Sequence, residues 1–137
     1  VKPQRIDLSA ARDVRELAGL VLQTRLGEAR ALAHALERRE GRELHQFRIA
    51  CKRLRYAVER FETLDPSLQP VAERLALVAD ALGEAHDRDV LLAILPPTMP
   101  ATERRLREGR EACVDRAGVL WRDGQQLLQA LTLIGSQ

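Results

Sequence analysis

Residues 44–61 read LHQFRIACKRLRYAVERF, and two periodic patterns are superposed in them. Leu44, Phe47, Cys51, Leu54, Val58 and Phe61 recur at alternating steps of three and four, the spacing of one face of an α-helix. His45, Arg48, Lys52 and Arg55 repeat steps of three, four and three one position further on, so a row of basic side chains lies beside the apolar seam. The first pattern predicts a helix over 43–63 that enters a helical core. The second predicts a cationic stripe along the edge of that core.

Working outward, the same period organises the rest of the chain. Val14, Leu17, Val21, Leu22, Leu26, Ala29, Ala33 and Leu36 draw a seam that predicts a helix over 8–39, with Asp7 or Ser9 as its cap and Gly41 as its stop. Asp65 followed by Pro66 signals the start of a third helix, since Asp caps and Pro at the first helical position loses no intrahelical donor. Its seam passes through Leu68, Val71, Leu75, Val78, Leu82 and Ala85 and broadens through Leu91, Leu92, Ile94 and Leu95, until Pro96 and Pro97 end it, giving 66–95. A fourth helix is expected over 100–133, with Leu106, Cys113, Ala117, Leu120, Leu127 and Leu131 as its stripe, weakened by Gly109, Gly118 and Gly124 so that it bends. Short turns near 40, 64 and 98 make this an all-α, antiparallel up-down four-helix bundle, one domain over residues 1–137.

Composition agrees. Of 137 residues 45% are hydrophobic but only 3% aromatic, which suits an aliphatic core and excludes a large multidomain enzyme. Val, Ile and Thr are too sparse for a sheet-dominated protein. No apolar run is long enough to span a bilayer and the start, VKPQRIDLSA, has no hydrophobic secretory core, so a soluble cytoplasmic protein without a membrane partner is expected. Cys51 and Cys113 sit in apolar seams, in no zinc or redox spacing, and read as small packing residues.

The formal charge is only +2, so any anionic partner must be recognised locally. Of the 22 basic residues only Lys2 and Lys52 are lysines, and the arginine fork suits carboxylate and phosphate oxygens. Between Arg42 and Arg60 six Arg or Lys stand against two Glu, a charge of +4. Like charges three and four residues apart repel on a helix, so stability alone does not select such a stripe. A bound phosphate chain reverses that repulsion; a solvated face, or salt bridges to neighbouring helices, is the competing reading. Arg53 and Arg60 lie on another face with Tyr56, as peripheral contacts or ordinary surface.

Residues 82–95, LGEAHDRDVLLAIL, place His86, Asp87 and Asp89 close together without an HExxH spacing, so no metal site is expected. Asp89 is expected to pair with Arg48, Lys52 or Arg55 across helices, and Asp87 to hold Arg88 or a neighbouring helix. His34 has no carboxylate or cysteine near it in sequence that completes a chemical group. Ser9 and Ser67 lack a nucleophile-elbow context, and there is no phosphate-binding glycine loop. Neither a catalytic residue nor a cofactor is indicated.

The ordered combination HxxRxxxKRLRY at 45–56 followed by LGxxxDxDV at 82–90 resembles the CHAD family, the conserved-histidine α-helical domains. The resemblance implies a helical bundle whose basic surface binds inorganic polyphosphate, with His45, Arg48, Lys52, Arg53 and Arg55 as recognition residues. Asp87 and Asp89 would organise the packing, and Arg42, Tyr56, Arg60 and His86 would support the site from its periphery. His86 departs from the family, which often uses Arg or Asn there. The family's domains commonly carry two related bundles; this chain has one, so either one bundle suffices or a homodimer completes a two-bundle surface. Association with polyphosphate granules in the cytoplasm follows from the same resemblance. Two alternatives stand beside it: a nucleic-acid-binding bundle that makes nonspecific phosphate contacts, and a phosphohydrolase or its accessory subunit.

Overall fold

The computed structural model describes residues 2–134 of the 137-residue chain, and among them every regular element is helical. The elements are α1 (Val14–Leu32), the short α2 (Ala35–Arg38), α3 (Gly41–Phe61), a 3-10 turn at Pro66–Leu68, α4 (Gln69–Ile94), α5 (Pro100–Asp123) and α6 (Gln125–Leu133). The all-helical bundle is as the periodicity predicts, but two of the four expected rods are broken.

The first rod starts later and stops earlier than 8–39. Asp13 is the cap, its carboxylate accepting from the Glu16 N–H at 2.9 Å, while Asp7 turns on itself and accepts from Ser9. Residues 2–12 run as an arm tied to α1, with the Gln4 N–H donating to Glu28 and Arg25 donating to the Gln4 carbonyl. At Ala33 the chain tightens into an i to i−3 bond with Arg30, and Leu36 repeats it with Ala33. This re-aims Ala35 and Leu36 into the core. Arg39, at φ 60, is the left-handed residue that ends α2. Gly41 therefore opens α3 instead of stopping the first helix; Glu40 caps it, accepting from the N–H groups of Arg42 and Glu43.

Asp65 caps the start of the third rod as expected, through Ser67, but the chain makes a 3-10 turn before α4 begins. The last rod breaks at Gly124. A Cβ there would lie 2.8 Å from Cγ of Arg74 and 3.0 Å from the Leu120 carbonyl oxygen, so glycine is required by the close approach of α4.

The contacts make successive long helices antiparallel. Leu17 and Val21 of α1 share a groove with Ala57 and Phe61 of α3, and Leu32 shares one with Gln46 and Ile49. Along α3 and α4, His45 meets His86 while Arg48 reaches Ala79 and Gly83. Arg88 of α4 packs on Gly109 of α5, and Arg74 on Gly124. α6 folds back beside α1, where Gln23 donates to the Thr132 carbonyl.

One apolar cluster unites these elements around Leu22, Phe47, Leu54, Leu75, Val78, Leu128 and Leu131, each at most 1% exposed. Phe47 meets Trp121 edge to face at 5.1 Å, which locks α3 to α5. Cys51 and Cys113 are buried and free, and burial pushes the Cys51 thiol pKa well up. The predicted broadening of the α4 seam is corrected: Leu91 is 46% and Ile94 72% exposed. The last buried residue of α4 is Ala85 and the first of α5 is Cys113, so residues 86–112 extend past the core as a helical hairpin. α3 begins opposite Asp89, so it does not run alongside the last turn of α4.

Candidate functional site

The candidate site is the edge along which α3 meets α4 at His45, Arg48 and His86. The core seam of α3 faces inward, so the residues one position further on come out at its α4 edge. His45 stacks on His86 with ring centroids 4.9 Å apart and planes 25° apart. Nδ1 of His45 is buried and has no hydrogen-bond partner. Burial first, and then the positive charge of His86, Arg48 and Lys52, holds the His45 pKa below its ordinary value. Those four side chains form one electrostatic group.

Arg48 lies half-buried across α4, its Nε donating to the Ala79 carbonyl at 3.3 Å. Neither Arg48 nor Lys52 has a carboxylate partner among the described residues. Arg55 continues the row but is partly neutralised, with Nε 3.3 Å from Glu59 and its guanidinium over the Tyr56 ring at 4.9 Å. The expected row of His45, Arg48, Lys52 and Arg55 thus occupies one edge of α3, and His86 joins it from α4.

Other candidates lie elsewhere. Arg53, Tyr56 and Arg60 line the groove on the opposite edge of α3, against Leu17, Val21 and Arg25 of α1. Arg42 is exposed on the first turn of α3. Asp89 does not pair with Arg48, Lys52 or Arg55: it holds Nε of Arg110 at 2.8 Å. Arg110 also donates to the Arg39 carbonyl at 2.7 Å, and Arg39 in turn pairs with Glu111 and Asp115. This clasp ties the corner before α3 to α4 and α5, so Asp89 organises helix packing through a residue of α5. Asp87 is exposed and makes no ion pair among the described residues, while Arg88 donates to the Glu84 carbonyl and packs on Gly109. His34 does have a carboxylate near it, Glu43 at 3.7 Å, which Arg38 shares at 3.0 Å.

Sequence reasoning missed Arg110, Ala79 and Gly83. Nothing in the local sequence of Arg110 signals its link to Asp89, because that link depends on how α4 and α5 align. Gly83 had a signal, a glycine inside a strongly periodic helix, which ordinarily marks a close approach.

Among the described residues no group of three or more His, Cys, Asp or Glu is placed to hold a metal ion, and no helix is long and apolar enough to cross a membrane. Residues 2–96 match the family model described as CHAD domain. The chain belongs to the CHAD family. No curated protein and no solved structure matches it. CHAD domains are non-catalytic binding modules, and this one carries a basic helical surface suited to a phosphate-bearing ligand. The matched span contains α1 to α4, and so both helices that carry the candidate residues.

Proposed function

We propose that this CHAD domain binds inorganic polyphosphate along the α4 edge of α3, with His45, Arg48, Lys52 and Arg55 as the principal contacts and His86 beside them. The observation that carries the reading is the cluster of His45, His86, Arg48 and Lys52, in which neither Arg48 nor Lys52 has a carboxylate among the described residues to offset its charge. A run of phosphates supplies the missing negative charge and accepts charge-assisted hydrogen bonds from each donor. Arg53, Tyr56, Arg60 and Arg42 serve as outlying contacts for a chain that crosses α3, and Asp89 holds the frame through Arg110. No bond is cleaved. The reading implies a cytoplasmic protein associated with polyphosphate granules, and a second copy binding the same long polyanion gains by effective concentration.

The test is a salt series with long-chain polyphosphate, comparing the native protein with Arg48→Glu/Lys52→Glu while following helicity by circular dichroism. The native protein should bind more weakly as salt rises, and the double variant should lose binding by at least about a hundredfold with its helicity intact. Equal binding by both proteins overturns the assignment. Preferential retention of DNA or RNA over polyphosphate at one ionic strength replaces polyphosphate with nucleic acid as the ligand.

A further inference from the structure

We infer that Gly83, which has no side chain to offer a ligand, is a positioning residue of this anion site. The inference rests on the polyphosphate reading for its functional consequence and on the α3–α4 contact for its geometry. In an α-helix each Cβ tilts toward the N-terminus and covers the turn before it, so the side chain at 83 would lie over the Ala79 carbonyl to which the Gly83 N–H bonds. Glycine leaves that oxygen's second lone pair uncovered. The Arg48 Nε uses it at 3.3 Å.

The same missing side chain provides the space in which Arg48 lies. A Cβ built on Gly83 would stand 3.2 Å from Nε and Nη2 of Arg48 and 3.4 Å from Cζ, so the guanidinium rests flat on the bare backbone of α4. One bond through Nε and one flat contact fix the plane of the fork and leave Nη1 and Nη2 without hydrogen-bond partners among the described residues. A pre-set fork loses less rotamer freedom when phosphate oxygens arrive. The three atoms nearest a Cβ at 83 all belong to the far end of the Arg48 side chain, so the guanidinium must give by a few tenths of an ångström, which is enough to lengthen a bond already at 3.3 Å.

Gly83→Ala, Arg48→Ala and the double variant test this, with polyphosphate affinity, thermal stability and the 15N–1H NMR signal of the Arg48 Nε as readouts. Gly83→Ala should melt at or above the native temperature, because alanine is the better residue in a helix interior. Its affinity should fall roughly three- to tenfold, and the Arg48 Nε signal should shift and lose its protection from exchange. In the Arg48→Ala background the Gly83 change should have no further effect on binding. Arg48→Lys, which keeps the charge but has no fork to seat, should lose affinity to a similar degree whether residue 83 is Gly or Ala.

An equal loss with and without Arg48 assigns Gly83 a merely structural role and overturns the inference, as does an unchanged affinity in Gly83→Ala. A native protein that binds no polyphosphate overturns the functional reading instead. In that case the Nε signal still decides the positioning, since an identical signal in native protein and Gly83→Ala refutes the seat by itself.

Discussion

Burial, and then the positive charges of His86, Arg48 and Lys52, hold the His45 pKa below its ordinary value. An anion seated against the same groups reverses the charge effect, so the pKa rises on binding and a proton is taken up. Affinity should therefore be greatest below the depressed pKa of the free protein and decline as pH rises through the higher pKa of the complex. The check is titration calorimetry near pH 6 in two buffers of different ionisation enthalpy: the native protein should take up a proton on binding polyphosphate, and His45→Asn should take up much less. Equal uptake by the two proteins removes His45 from the linkage. Stability carries the opposite sign. The unfolded chain protonates this histidine at its ordinary value of 6.5 and the folded chain resists, so His45 lowers stability as pH falls through 6.5, levelling off below the folded pKa. The donors of α3 were legible in the sequence because one helix carries them all and its period fixes their common edge. The seat of Arg48 was not, since Ala79 and Gly83 meet it only through the register of α3 against α4.

At the scale of elements, the clasp of Asp89, Arg110 and the Arg39 carbonyl holds three segments where the core itself has ended. The Arg110 side chain is 14% exposed, so removing its carboxylate leaves a largely desolvated charge with one acceptor fewer. Partial exposure of Asp89, at 31%, keeps the cost below that of a fully buried pair. Asp89→Ala should lose about 1–2 kcal/mol, read as a lower urea midpoint with little change in slope. Asp89→Asn, which keeps an acceptor oxygen, should lose less. If both variants unfold at the native midpoint, the clasp contributes nothing to the fold. The existence of the long helices was legible because apolar spacing survives tertiary packing, whereas their limits were not. α1 stops before Leu36 although the seam runs on, because i to i−3 bonds turn the chain inward. The α4 seam continues through Ile94, yet the partner that would cover it begins only at Gly41. Asp65 marked its turn correctly because that cap is a local hydrogen bond, independent of any other helix.

For the whole molecule, the charge of +2 makes attraction at long range weak, so recognition depends on how many local donors one ligand reaches together. His45 and Arg55 are ten residues apart on α3, a rise of about 15 Å. Orthophosphate can engage only one end of that edge at a time. A chain long enough to follow it engages successive donors, each new contact being intramolecular once the first is made. Affinity should accordingly climb steeply with polyphosphate length until the chain spans that edge, and then more gently as a longer chain gains more places to bind. The salt dependence should report the same number of contacts: replacing Lys52 by Ala should lower the slope of log affinity against log salt by about one and weaken every chain length that covers its position. Orthophosphate binding as tightly as the long chain would mean a single pocket in place of an extended track. Sedimentation of the protein on short and long polyphosphate then separates one domain from two on the same ligand. Short chains should carry one copy and long chains two, and an affinity for long chains that rises with protein loading would show the copies completing each other's surface.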